Sequence, residues 1–126
     1  MEENKLREIL RIIMEKIKGS VAIYISDPNG FMVEGISLNG RVHEEIPMSI
    51  SLSIREMFKM ESFFYKEEIR GIIVEKEIGS TYIVPFLNGR YILSIFGDGM
   101  NIGLVKYVVD KYRSKILELL KERLWL

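Results

Sequence analysis

Gly71-Ile-Ile-Val-Glu-Lys-Glu77, Thr81-Tyr-Ile-Val-Pro-Phe86 and Arg90-Tyr-Ile-Leu-Ser-Ile-Phe96 are three apolar runs in close succession. Gly79-Ser80 and Asn88-Gly89 join them, and both pairs accept the positive φ that a tight turn needs. Gly97-Asp-Gly-Met-Asn-Ile-Gly-Leu-Val-Lys106 follows, where turn residues give way to helical spacing. A three-stranded meander running straight into a helix restricts the fold strongly.

Upstream, Leu6, Ile9, Leu10, Ile13 and Ile17 recur at helical spacing. They predict an amphipathic helix over about Glu3 to Lys18, stopped by Gly19. Val21 to Ser26 reads as a strand, apolar at nearly every position and therefore central. Asp27-Pro-Asn-Gly30 is a turn. A second strand, Phe31 to Ser37, ends at the Leu38-Asn-Gly-Arg41 loop. A second helix is expected from near Pro47, a favoured first helical residue, to about Phe63. The last helix should cover about Ile102 to Arg123, with Asn101 as its N-cap. Its apolar stripe is Val105, Val108, Val109, Tyr112, Ile116, Leu119 and Leu120. The order α-β-β-α-β-β-β-α implies an α+β domain with a mostly antiparallel five-stranded sheet.

With 126 residues and 48% hydrophobic content, residues 1–126 suit a single packed domain. Eighteen basic and eighteen acidic residues cancel, so no overall field favours nucleic acid. No apolar run is long enough to span a bilayer. The charged opening Met1-Glu-Glu-Asn-Lys5 does not read as a signal peptide, and a cytoplasmic location is expected. With no cysteine, the chain has no disulfide, thiolate ligand or Cys nucleophile. Lys and Glu are abundant and Gln is absent, the bias of a thermophile protein.

The second helix carries two apolar arcs. Ile50, Ile54, Met57 and Phe58 form one, expected to face the core. Leu52, Met60 and Phe63, flanked by Ser49 and Ser53, form the other. Arg55, Lys59 and Ser62 lie between the arcs, and with Ser51 they are read as a water-facing set. A helix with two apolar faces has a second neighbour.

Gly19-Ser-Val-Ala-Ile-Tyr-Ile-Ser-Asp-Pro-Asn-Gly30, Gly71 to Gly79 and Asp98-Gly-Met-Asn-Ile-Gly-Leu-Val-Lys106 together resemble the roadblock (dynein light chain) family. The shared pattern is a strand ending at an aspartate before a glycine turn, a charged strand exit into a second glycine turn, and an Asn-x-Gly helix start. The resemblance implies a roadblock/longin/profilin-like fold with strand order 2-1-5-4-3. Helices 1 and 3 would lie on one face and helix 2 on the other. It further implies a non-catalytic homodimer that regulates or scaffolds a small Ras-like GTPase and needs no cofactor.

The residues expected at the dimer interface are Ser49, Leu52, Ser53, Glu56, Met60 and Phe63 on helix 2, and Ile72 and Val74 on strand 3. Strand 3 would be a sheet edge, which invites pairing. Glu56 needs a partner or water on that surface. The expected GTPase-facing set is Ser51, Arg55, Lys59 and Ser62. The reading weighed against this one is a small-molecule sensor with a pocket between sheet and helix.

Other chemistry is weakly supported. His43 beside Glu44 and Glu45 is read as a solvated loop, with the acids complementing the helix dipole. Glu67, Glu68, Glu75 and Glu77 are read as a charged sheet edge rather than a metal set. Asp98 to Gly103 opens a helix but lacks the Lys and Ser/Thr of a P-loop. Tyr24, Tyr82 and Tyr91 are read as sheet packing, and Leu124-Trp-Leu126 as a tail tucked under a helix.

Overall fold

The computed structural model describes residues 3–61 and 69–124. The elements are α1 (Glu3–Lys16), β1 (Ser20–Ser26), β2 (Met32–Ser37), α2 (Glu45–Glu61), β3 (Ile72–Glu75), β4 (Ser80–Phe86), β5 (Tyr91–Gly97) and α3 (Ile102–Leu124). The five strands form one sheet in the order β2-β1-β5-β4-β3, and every pairing is antiparallel.

The sheet faces follow from strand alternation. Ile23 and Ile25 on β1, Val84 on β4, and Leu93 and Ile95 on β5 point to the face covered by α1 and α3. Leu6, Ile9, Leu10, Ile13 and Ile17 meet them from one side and Val105, Val109, Ile116 and Leu120 from the other. This is the main core. Each such aliphatic side chain contributes roughly 1.5–3 kcal/mol by leaving water. On the opposite face Ile83 and Ile92 pack against Ile54, with Ile50 and Ile72 beside them. The principal neighbours of α2 are β1 and β5.

The ends of α1 and α3 explain the meander's exit. Gly19 closes α1 at φ +95°, a conformation open to glycine, and a Cβ there would collide with the Asp98 carbonyl. The Asp98 N–H donates to the Gly19 carbonyl at 2.9 Å, tying the end of β5 to the start of β1. Ser20 Oγ lies 2.7 Å from the Ile17 carbonyl and 2.9 Å from that of Met14, so its proton serves the last turn of α1. At the start of α3 the Leu104 N–H donates to Asn101 Oδ1 at 3.0 Å, the cap the sequence predicts. In the β1–β2 turn, Asp27 Oδ1 accepts from Asn29 and Phe31, an Asx turn. The β4–β5 turn is broader than a two-residue hairpin. Leu87, Asn88 and Gly89 all have positive φ between the paired Phe86 and Tyr91.

α2 begins at Glu45, two residues before Pro47. Its core side is Pro47, Ile50, Ser51 and Ile54. Two expectations for this helix are corrected. Met57, assigned to the core arc, is exposed. Ser51, assigned to the water-facing set, is buried at 4% exposure. The side chain of Phe58 and the tail residues Trp125 and Leu126 lie outside the described residues.

Candidate functional site

Opposite the core side of α2 lies a surface that no other element among the described residues covers. Leu52 is 59% exposed at its centre, and Glu56 follows one turn later. Ser49 and Ser53 sit on the same side, and Ser53 Oγ donates back to the Ser49 carbonyl at 3.1 Å. That bond satisfies the hydroxyl within the helix and leaves a low, smooth surface there. Met57 and Met48 add exposed apolar area on the two flanks. Arg55 is exposed. Glu56 is exposed and already engaged in an interaction within the chain, and solvent access offsets its charge. The side chains of Lys59 and Met60, and residues Ser62 and Phe63 entirely, lie outside the described residues.

β3 lies at the edge of the sheet, with Ile72 packed against the cluster of Ile54, Ile83 and Ile92 beneath α2. Ile72 pairs with Ile83 and Val74 with Thr81, which places both on the α2 face of the sheet. Ile72 is partly buried against Ile83 and Ile92, whereas Val74 is 39% exposed. β3 pairs with β4 alone and stands at the end of the sheet, so its outer row of backbone groups has no strand partner among the described residues.

Ser51 does not join this surface. Its Oγ lies 2.8 Å from Ser26 Oγ on β1, and both are buried. The pair pins α2 to the sheet. A serine on the core side of a helix carries no hydrophobic signal, which is why sequence periodicity places it in water.

His43 lies in the loop before α2, with its Nδ1 3.5 Å from Glu45 Oε1 and both side chains more than half exposed. Its backbone N–H donates to the Tyr24 hydroxyl at 3.3 Å. Glu45 sits in the first turn of α2, where a carboxylate favours the helix dipole. Glu75 and Glu77 are exposed at the β3 end, while Glu67 and Glu68 lie outside the described residues. Among the described residues no group of three or more His, Cys, Asp or Glu could hold a metal. No helix among them is long and apolar enough to cross a membrane.

The three tyrosines pack into the sheet faces. Tyr24 meets Phe96 edge-on with ring centroids 5.9 Å apart. Burial raises the Tyr82 phenol above its ordinary pKa, and the neighbouring Asp110 carboxylate adds to the rise.

No protein-family model and no curated protein matches the sequence. Solved structures do match the fold. MglB of Myxococcus xanthus superposes at a TM-score of 0.85 with 14% identity, covering 97% of this chain and 92% of that one. The gliding protein MglB of Thermus thermophilus gives 0.84 at 10% identity, covering 97% and 93%. A roadblock/LC7 domain from Streptomyces avermitilis gives 0.66 at 8% identity, covering 87% and 96%. The chain therefore has the roadblock/LC7 fold, and among these structures it superposes better on the two MglB proteins.

Proposed function

We propose that the chain is a non-catalytic cytoplasmic module that forms a homodimer through α2 and β3 and binds a small Ras-like GTPase, regulating or scaffolding it. The observations that carry the reading are the apolar side of α2, which no other described element covers, and the edge of β3, which has no strand partner among the described residues. In the dimer, Leu52, Met60, Phe63 and Val74 lose water, with Ser49 and Ser53 allowing close approach of the two helices. Ile72 lies beneath, and Glu56 stays at the solvated margin. A MglB structure of the same fold has a tetrameric arrangement, in keeping with self-association.

The GTPase contact is assigned to Arg55, Lys59 and Ser62, doubled by the two-fold axis of the dimer. GTPase switch segments are ordered by the γ-phosphate and released on hydrolysis. A partner that reads them must prefer one nucleotide state. Calorimetry with the cognate Ras-like GTPase tests the assignment. Unequal affinity for the GDP and GTP-analogue forms, reduced by Arg55→Ala with Lys59→Ala, supports it. Equal affinity for both forms contradicts a nucleotide-reading role.

A further inference from the structure

A second concave feature lies on the other face of the sheet, away from α2. It is a groove of about 440 Å³ between the start of β3 and α3. That volume is within the range of small-molecule sites. Its walls come from three separate parts of the chain. Arg70 and Gly71 enter just before β3, Tyr82 stands on β4, and Lys106, Asp110 and Arg113 line α3. The last three share one side of the helix by their spacing of four and three residues.

We propose that this groove binds a small organic phosphate. Among the described residues three cations line it against one carboxylate, leaving two positive charges over, the complement of a phosphate monoester dianion. Arg113 is held in place: its Nε and Nη2 lie 3.3 and 3.2 Å from Asp110 Oδ1, and its guanidinium sits 5.6 Å over the Phe86 ring. Among the described residues neither Arg70 nor Lys106 has an ion-pair partner. Both cations are exposed and available to an anion.

The groove also has an organic wall. Ile73, on the same sheet face as Tyr82, is 39% exposed beside it, and Ile69 continues the apolar side. Gly71 gives the Tyr82 hydroxyl its space, because a Cβ at that position would stand 2.7 Å from the phenol oxygen. The phenol is a neutral hydroxyl at physiological pH and can donate to an anion. Arg70 and Lys106 hold the phosphate, Tyr82 adds a hydrogen bond, and Ile73 packs against the carbon body. The site is independent of the α2 surface and stands or falls apart from the GTPase reading.

The test is a titration of the isotope-labelled full chain with phenyl phosphate, followed by amide shifts. Inorganic phosphate and sodium chloride at equal ionic strength run as parallel arms. Saturable shifts centred on Gly71, Ile73, Tyr82 and Lys106 are expected, with phenyl phosphate binding more tightly than inorganic phosphate. Arg70→Gln with Lys106→Gln, both at exposed positions, should weaken phenyl phosphate by about tenfold or more. Shifts no larger than those from sodium chloride overturn the proposal, as does affinity unchanged in the double variant. Equal affinity for inorganic phosphate overturns the assignment of an organic ligand.

Discussion

Ser26 Oγ and Ser51 Oγ lie 2.8 Å apart in the buried seam between β1 and α2, one hydroxyl donating and the other accepting. No buried side-chain polar atom among the described residues lacks a partner, so the seam is fully paired. This contact lies on the same side of α2 as Ile50 and Ile54, the side that meets the sheet. Ser51→Ala leaves the Ser26 hydroxyl buried without its partner and should cost about 1–3 kcal/mol. Ser26→Ala with Ser51→Ala should cost less than the sum of the two single changes. Denaturant unfolding of the three variants measures the coupling.

Gly19 holds the junction of α1, β1 and the end of β5. Alanine there meets both a φ of +95° and the Asp98 carbonyl. Gly19→Ala should destabilise the chain by about 1–3 kcal/mol or more, since the strain of a left-handed non-glycine residue adds to the steric conflict. Thermal melting of the variant provides the measurement.

Tyr82 should make stability fall in alkali. Burial, reinforced by Asp110, raises its folded-state pKa above the ordinary 10.0. The unfolded chain then loses the phenolic proton first. The stabilisation from keeping the phenol neutral is fully present below pH 10.0 and is lost as pH rises from there through the folded-state value. Tyr82→Phe removes this contribution, so its unfolding free energy should decline less steeply above pH 10.0 than that of the wild type. Equal slopes would contradict the assignment.

His43→Ala should change stability by no more than about 0.5 kcal/mol, as is usual for exposed positions. Among the described residues its ring pairs with the exposed Glu45 alone, while its backbone N–H contact to Tyr24 survives the substitution. A larger loss in chemical denaturation would give the ring a structural role.

The sequence discloses the fold almost completely and the surface only in part. Hydrophobic periods of two and 3.6 place all eight elements within a few residues, because Ile23, Leu93 and Val109 report burial by their own chemistry. Gly19, Gly30 and Gly79 mark turns whose positive φ the structure contains. α2 is where this signal fails. Its core side includes Ser51, which is polar, and its exposed side includes Leu52 and Met57, which are apolar. Hydrophobicity alone then misassigns Met57 and Ser51, and the Ser26 contact together with the packing of Ile50 and Ile54 sets the phase of the helix. The groove at Arg70, Tyr82 and Lys106 is illegible for another reason. Its residues are far apart in sequence and meet only after β3, β4 and α3 assemble.

Under the proposed function, the outward side of α2 and the edge of β3 join two copies of this chain. Burying Leu52 at such a contact contributes roughly 1.5–3 kcal/mol per copy. Leu52→Glu places a charge there without touching the core side of the helix. Sedimentation velocity at micromolar concentration tests the claim most directly. The wild type should sediment as a dimer and Leu52→Glu as a folded monomer. A monomeric wild type, or a Leu52→Glu variant that remains dimeric, would contradict the claim.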